Sequence, residues 1–433
     1  MPDTTRALCA IALICFAVDT TPAHAQTAPA AGGLFGSGSK TYRGDHLTML
    51  FDADSGYGTE PPAFGSGMSA PDAFHTGYNS MLMSSANYGH PGQWYTIGAS
   101  GSAAVGYSKT IGQLVPLSSG VAIEGTARLP SAVDLQVTHM SAYSPSYLHE
   151  LFPTEAVLDL NPEYQIAQLK SYTQDTRATF GVGSIQATRF TASAEYTHTR
   201  FEGAVVDQAL WSVDAKLAHA MSKYTNVSGE YEYRTSAYGF GSTREHRVTI
   251  GGSYSYPLSK RRRATFRGSL SPSTLDLPAG AFTNIDGTAS SAGHAFAWQG
   301  EAGMDYEIRS NWRATVTYRR ELQYLPVASL PLLTTGTHAE FSAAIARRFD
   351  VSASGGYATG GSGLDPLTQD LVTSTVETQA RYGLGRSVAT YVEYLYYRYD
   401  LHGLTPISPA FPGGFRQHTI RFGVQLFVRA IGR

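Results

Sequence analysis

The stretch HTIRFGVQLFVRAIGR, from His418 to Arg433, limits what this chain can fold into more than any other. Ile420, Phe422, Val424, Leu426 and Val428 share one parity; Thr419, Arg421, Gly423, Gln425 and Arg429 share the other. Side chains that alternate in this way belong to an extended strand, whose successive residues point to opposite sides of a sheet. Such a strand has one apolar face and one polar face, and each needs its own medium. A soluble protein buries the apolar face. A membrane barrel turns it outward to lipid and keeps charge in its lumen.

The pattern recurs along the chain. Phe190, Ala192, Ala194 and Tyr196 alternate with Arg189, Ser193 and Glu195; Trp211, Val213 and Leu217 alternate with Asp214 and Lys216. Val227, Tyr231 and Tyr233 oppose Glu230, Glu232 and Arg234, and Val248, Ile250, Tyr254 and Tyr256 oppose Arg247, Thr249 and Ser253. Phe296, Trp298, Met304, Tyr306 and Ile308 oppose Gln299, Glu301, Asp305 and Glu307. Taken together these runs predict strands at 46–57, 73–86, 93–107, 117–127, 132–146, 168–183, 187–201, 207–220, 224–236, 243–256, 262–272, 294–308, 312–324, 336–347, 350–360, 371–383, 388–400 and 416–429. Short connections such as HAMSKY, IRSN, ARRFD and LGRS alternate with long ones near 148–167, 273–293, 325–335, 360–370 and 401–415. Outer-membrane barrels have this asymmetry, with short periplasmic turns and longer external loops.

Energetics chooses the orientation. An Arg or Lys on the lipid face near the bilayer centre costs ~2–4 kcal/mol. With the polar parity outward, the strands at 187–201, 224–236, 243–256 and 294–308 would each put two or more charges in lipid. The summed penalty would exceed a folding free energy of ~5–15 kcal/mol. With the apolar parity outward, Arg320, His198 and Arg398 are the main exceptions, and they lie near strand ends within reach of headgroups. A soluble sandwich or propeller is the alternative, but its strands average ~5–6 residues, about half the length of those read here. The chain is also only 15% charged, against about 25% for an ordinary soluble domain. No later stretch is a transmembrane helix. The expected fold is all-β, a transmembrane up-and-down antiparallel barrel of about 18 strands, within 16–18.

Residues 1–25 read as a secretory signal: Arg6, the apolar run ALCAIALICFAV and the small-x-small site Ala23-His24-Ala25, with cleavage before Gln26. That run falls short of the ~20 residues a membrane-spanning helix needs. Residues 26–42 read as a flexible leader and 43–433 as the barrel. Cys9 and Cys15 both lie within the signal, so the barrel has no disulfide, zinc thiolate or cysteine nucleophile. A net charge of −2 gives no reason to expect a nucleic-acid partner.

Over nearly all of its mature length the chain resembles Gram-negative outer-membrane barrels of the porin type. Its ending is similar to the assembly signal of that class, carried here by Arg421, Gly423, Leu426 and Val428, although the chain closes on RAIGR and not on an aromatic residue. YVEYLYYRYD, 391–400, resembles the penultimate strand of uncharacterised porin-like barrels, some of which accompany exopolysaccharide export. The resemblance implies insertion by the barrel-assembly machinery, contact with outer-membrane lipid and lipopolysaccharide, and no cofactor or metal.

A barrel of this size is too wide for side chains to fill, so passive diffusion of small polar solutes is the expected function. Polysaccharide export is the alternative, favoured by a wide, neutral or aromatic wall. The lumen parity carries both signs, which predicts ion pairs along the wall and weak selectivity. The pore-lining candidates are Arg247, Glu301, Arg313, Arg319, Glu321, Glu377, Arg381 and Glu393, with a constriction expected at Arg313, Arg319, Glu377, Arg381 and Glu393. Tyr256, Tyr306, Tyr324 and Tyr396 are the candidates for a lipid-facing aromatic girdle. The acidic loop 148–165 and the apolar loops 325–335 and 404–415 are candidates to fold into the mouth or to hold a partner.

Other motifs carry less. GLFGSGSKT, 33–41, lacks the glycine that a phosphate-binding loop has before its lysine, because Ser39 stands there. Arg43-Gly44-Asp45 is read as a chance triplet. An outer-membrane hydrolase would need a set such as His338, His402 or His418 converging beside an acid, and an adhesive barrel would seal its own lumen.

Overall fold

The computed structural model describes residues 45–60, 75–108, 113–129, 132–144, 171–184, 187–201, 207–238, 241–259, 261–278, 293–308, 311–324, 331–361, 371–401 and 414–431. Among the described residues every element is a strand: β1 His46–Glu60, β2 His75–Pro91, β3 Tyr95–Ser108, β4 Gln113–Leu129, β5 Val133–Ser144, β6 Ser171–Gly183, β7 Thr188–Phe201, β8 Gln208–Ala220 and β9 Thr225–Tyr238. The second half holds β10 Gly241–Ser259, β11 Arg262–Leu277, β12 Gly293–Ile308, β13 Trp312–Tyr324, β14 Pro331–Ala346, β15 Phe349–Gly361, β16 Leu371–Gly383, β17 Val388–Leu401 and β18 Gly414–Ile431. Each strand pairs antiparallel with its neighbours in sequence, and β1 pairs with β18 from Leu47↔Ile431 to Gly58↔Thr419. The sheet thus closes into an 18-stranded barrel with no free edge strand.

The alternation read from the sequence sets which side faces out. On the seam, Phe51↔Leu426, Ala53↔Val424 and Tyr57↔Ile420 stand opposite one another on the outer face. Tyr57, Ile420, Phe422, Val424 and Leu426 are exposed there, while Asp52, Asp54, Arg421 and Gln425 of the other parity are buried within. Exposed aromatics and aliphatics encircle the barrel: Trp211, Val248, Ile250, Phe266, Trp298, Val316, Tyr357 and Val392 lie on seven different strands. This is the reverse of a soluble protein.

Turns at one end are short and locally encoded. Between β8 and β9 the Ser222 hydroxyl accepts the amides of Tyr224 and Thr225, both at 3.1 Å. The β14–β15 turn is Arg347 and Arg348 alone. At the other end β11 runs on to Leu277 and β14 begins at Pro331, inside segments read from sequence as loops. In β14, Pro331 occupies the first position, where no ladder donor is needed, and it stands opposite Tyr324. Residues 1–44 and the loops 148–165 and 402–413 lie outside the described residues.

Candidate functional site

The inner wall is built from opposite charges placed directly across strand pairs. Lys216↔Glu230, Glu232↔Arg247, Glu301↔Arg319, Asp350↔Arg381 and Glu393↔Arg421 are register partners. All five are ion pairs, the first at 3.1 Å, Glu301–Arg319 at 3.3 Å, Asp350–Arg381 at 2.7 Å and Glu393–Arg421 at 3.1 Å. Cross-strand pairing of this kind supports both the register and the sheet. Arg267 joins several rungs: Nε donates to Glu301 at 3.0 Å, Nη1 pairs with Asp305, and Nη2 donates to Thr317 at 2.9 Å. Its guanidinium lies over Gly303, where a Cβ would stand 2.8 Å from Nε. Glycine here gives the arginine its bed.

This wall fronts a cavity of about 550 Å³ lined by β8 to β13. Lys216, Arg247, Arg267, Arg319 and Arg320 with Glu230, Glu301 and Glu321 supply its charges, and Ser228, Ser253, Ser269 and Ser271 its small polar surface. Both signs stand side by side, so the cavity has no ring of a single sign.

The opposite wall is closed. Arg381 donates to Asp350 and to Gln425, Gln425 donates to Asp52 at 2.8 Å, and Tyr391 donates to Asp52 at 2.8 Å while lying 3.3 Å from Asp54. Arg421 and Gln379 both donate to Glu393. All but the half-buried Asp350 are buried, and together they tie β15, β16, β17 and β18 to β1 across the barrel seam. Tyr391 reaches the seam by lying over Gly423, its register partner, where a Cβ would stand 2.2 Å from the ring. Gly423→Leu is expected to lower the protease-resistant folded fraction after refolding into vesicles, and Gly423→Leu/Tyr391→Ala to restore part of it. Equal yields for Gly423→Leu and the unmodified protein would exclude the contact.

Near the long-loop end part of the wall turns inward. The β12–β13 ladder ends at Gly300↔Arg320, although β12 continues to Gly293 beside β11 and β13 continues to Tyr324 beside β14. Beyond that rung, Leu322 and Leu333 pack with Leu275, Leu277 and Ala297 in one buried cluster. Leu275, Leu277 and Ala297 have the inner parity of β11 and β12; Leu322 and Leu333 are register partners of outer parity. Outer-face residues of one hairpin therefore rest on inner-face residues of the next, which puts the crest of β13 and β14, here residues 321–324 and 331–333, inside the barrel. Gln299 fills the parting: its Oε1 accepts the Leu322 amide at 3.0 Å, and its Nε2 donates to Glu245 at 2.6 Å and Ser273 at 2.8 Å.

Of the residues read from sequence as pore-lining, Arg247, Glu301, Arg319 and Glu321 come together around the cavity. Arg381 and Glu393 do not: they are 2% and 8% exposed and belong to the closed wall, held by Gln425 and Gln379 as well as by their counter-charges. Arg313 lies near the short-turn end, 3.6 Å from Asp305, and Glu377 sits half-buried on the inner face of β16. The five residues expected to form one constriction are thus spread over two walls. Sequence places Arg267 on the lumen parity but not among the pore-lining candidates, and it misses Gln299 and Leu322, for whose inward crest it holds no signal.

Tyr256 is outward and exposed beside Tyr254, Tyr306 is half-buried on the outer face, and Tyr396 packs on His418 with ring centroids 4.9 Å apart. The side chain of Tyr324 lies outside the described residues. Arg421 and Gly423 face inward, Leu426 and Val428 outward. His338 has the inner parity of β14 and His418 the outer parity of β18, so the two face opposite sides of the wall; His402 lies outside the described residues. Among the described residues no group of three or more His, Cys, Asp or Glu could hold a metal ion.

No family model matches the chain, and no curated protein matches it. Among solved structures it is similar to Pseudomonas aeruginosa OpdL, with 12% identity, a TM-score of 0.44, and 89% of this chain and 99% of that one covered. It is similar also to Pseudomonas aeruginosa OpdQ, with 9% identity, a TM-score of 0.46, and 89% and 98% covered. For Acinetobacter baumannii OccAB2 the identity is 7% and the TM-score 0.46, over 91% of this chain and 100% of that one.

Proposed function

We propose that this protein is an outer-membrane channel through which small polar solutes diffuse passively down their gradients. One observation carries the reading: a closed 18-stranded barrel has an apolar exterior and a charged, hydroxyl-rich interior fronting an open cavity. In water so large an exposed apolar surface would aggregate, whereas in lipid it is the solvated side. Barrels of 16–18 strands are wide enough to keep an aqueous channel. The outward Tyr256, Tyr306 and Tyr396 suit headgroup interfaces, and the outer face is the surface that lipid and lipopolysaccharide would contact. A charged and narrowed wall supports diffusion of small solutes over export of a polysaccharide chain.

The mixed signs around the cavity give the expected electrical behaviour. In a planar bilayer the refolded protein is expected to show ohmic single-channel openings with a cation-to-anion permeability ratio near one. Ser228→Trp/Ser269→Trp, which fills the cavity from β9 and β11, is expected to reduce the unitary conductance without changing folded yield. A silent bilayer, or a conductance indifferent to both tryptophans, would remove the channel reading.

A further inference from the structure

The crest of the β13–β14 hairpin is written for two places. Continuing the β12–β13 register past Gly300↔Arg320 would set Glu321 opposite Gln299, Leu322 opposite Trp298, Gln323 opposite Ala297 and Tyr324 opposite Phe296. In that arrangement Leu322 and Leu333 would join Trp298 on the outer, lipid-compatible face, and Glu321 and Gln323 would face the lumen. Their alternation is that of an ordinary wall strand. In the observed arrangement the same leucines bury against Leu275, Leu277 and Ala297 inside the mouth, and Gln299 serves the Leu322 amide that the ladder leaves.

We propose that this crest is a gate with two positions, inside against β11–β12 and outside zipped to β12 above Gly300, and that its position sets the width of the channel mouth. The inference rests on the channel reading and names the element that regulates it. Both positions satisfy the same groups by different partners. The leucines exchange a protein cluster for lipid; the Leu322 amide exchanges a side-chain carbonyl for the ladder. An element with two such solutions switches between discrete arrangements and does not drift continuously. The bend is local because the lower ladder, from Gly300↔Arg320 down to Ile308↔Trp312, is complete. Above it β14 stays joined to β15 through Leu333↔Gly361, so the crest moves with its β15 neighbour and not alone.

Cysteine pairs test this directly, because Cys9 and Cys15 are the chain's only cysteines and both precede the barrel; serines replace them. Leu322→Cys/Leu275→Cys is designed to lock the crest inside, and Leu322→Cys/Trp298→Cys to lock it outside. Each is oxidised in vesicles, its disulfide yield is read by mass mapping, and its unitary conductance is measured before and after reduction. Both pairs are expected to cross-link, the outside-locked form is expected to conduct several-fold more than the inside-locked form, and reduction is expected to bring the two to a common level. Failure of the 322–298 pair to cross-link while 322–275 does so would mean that the crest has one position. Equal conductance of the two locked forms would mean that it does not gate. If no form conducts, reduced ones included, the channel reading fails, and the two disulfide yields still decide whether two positions exist.

Discussion

Phe422→Arg is expected to destabilise the barrel in lipid vesicles by ~2–4 kcal/mol, the cost of an arginine on a lipid face near mid-membrane. Phe422 is 61% exposed on the outer wall, between Ile420 and Val424 and about midway along β18. Its register partners, Ser55 and Val392, carry no charge. Ser253→Arg puts the same side chain on the inner face of β10, beside the polar cavity, and is expected to change stability by no more than about 0.5 kcal/mol, as surface substitutions do. It should instead shift the permeability ratio toward anions. Denaturant midpoints of both variants in the same vesicles make the comparison. If Ser253→Arg were the costlier of the two, the barrel's faces would be assigned the wrong way round.

Removing one half of a buried seam pair should cost as much or more. Glu393→Ala leaves the Arg421 guanidinium, 2% exposed, without its register partner, and breaking a buried pair from one side costs ~3–5 kcal/mol. Glu393→Leu/Arg421→Met removes both charges with little loss of volume, and replacements of that kind are often neutral or stabilising. The double variant is therefore expected to recover most of the loss in vesicle unfolding. A double variant as unstable as Glu393→Ala would show that the neighbours Asp52, Asp54 and Tyr391 depend on Arg421 itself and not on charge balance.

Much of this molecule was readable in one dimension. Strand β18 announces itself through Ile420 to Val428, and the strands read at 312–324 and 371–383 coincide with β13 and β17's neighbour β16 to the residue. Opposite charges on the inner parity foretold ion pairs along the wall, and the register delivered them. The constriction was not readable. Arg381 and Glu393 look as available as Arg319 in sequence, yet one pair of walls buries them against Asp350 and Arg421 while the other leaves Arg319 at the cavity.

What the amino-acid order determined by itself is the direction of each side chain relative to its own strand, because the extended backbone alternates with a period of two whatever surrounds it. That was enough for the strand positions and the inside-out distribution of polarity. What the tertiary structure alone decided is where a strand runs once its side chains are oriented. Leu322 has the parity of a lipid-facing residue and still lies inside the barrel, because the β12–β13 ladder stops two residues earlier and the hairpin passes behind its neighbour. Parity is local to one strand, whereas that departure depends on which of two apolar surfaces, the acyl chains outside or Leu275 and Leu277 within, receives the leucine.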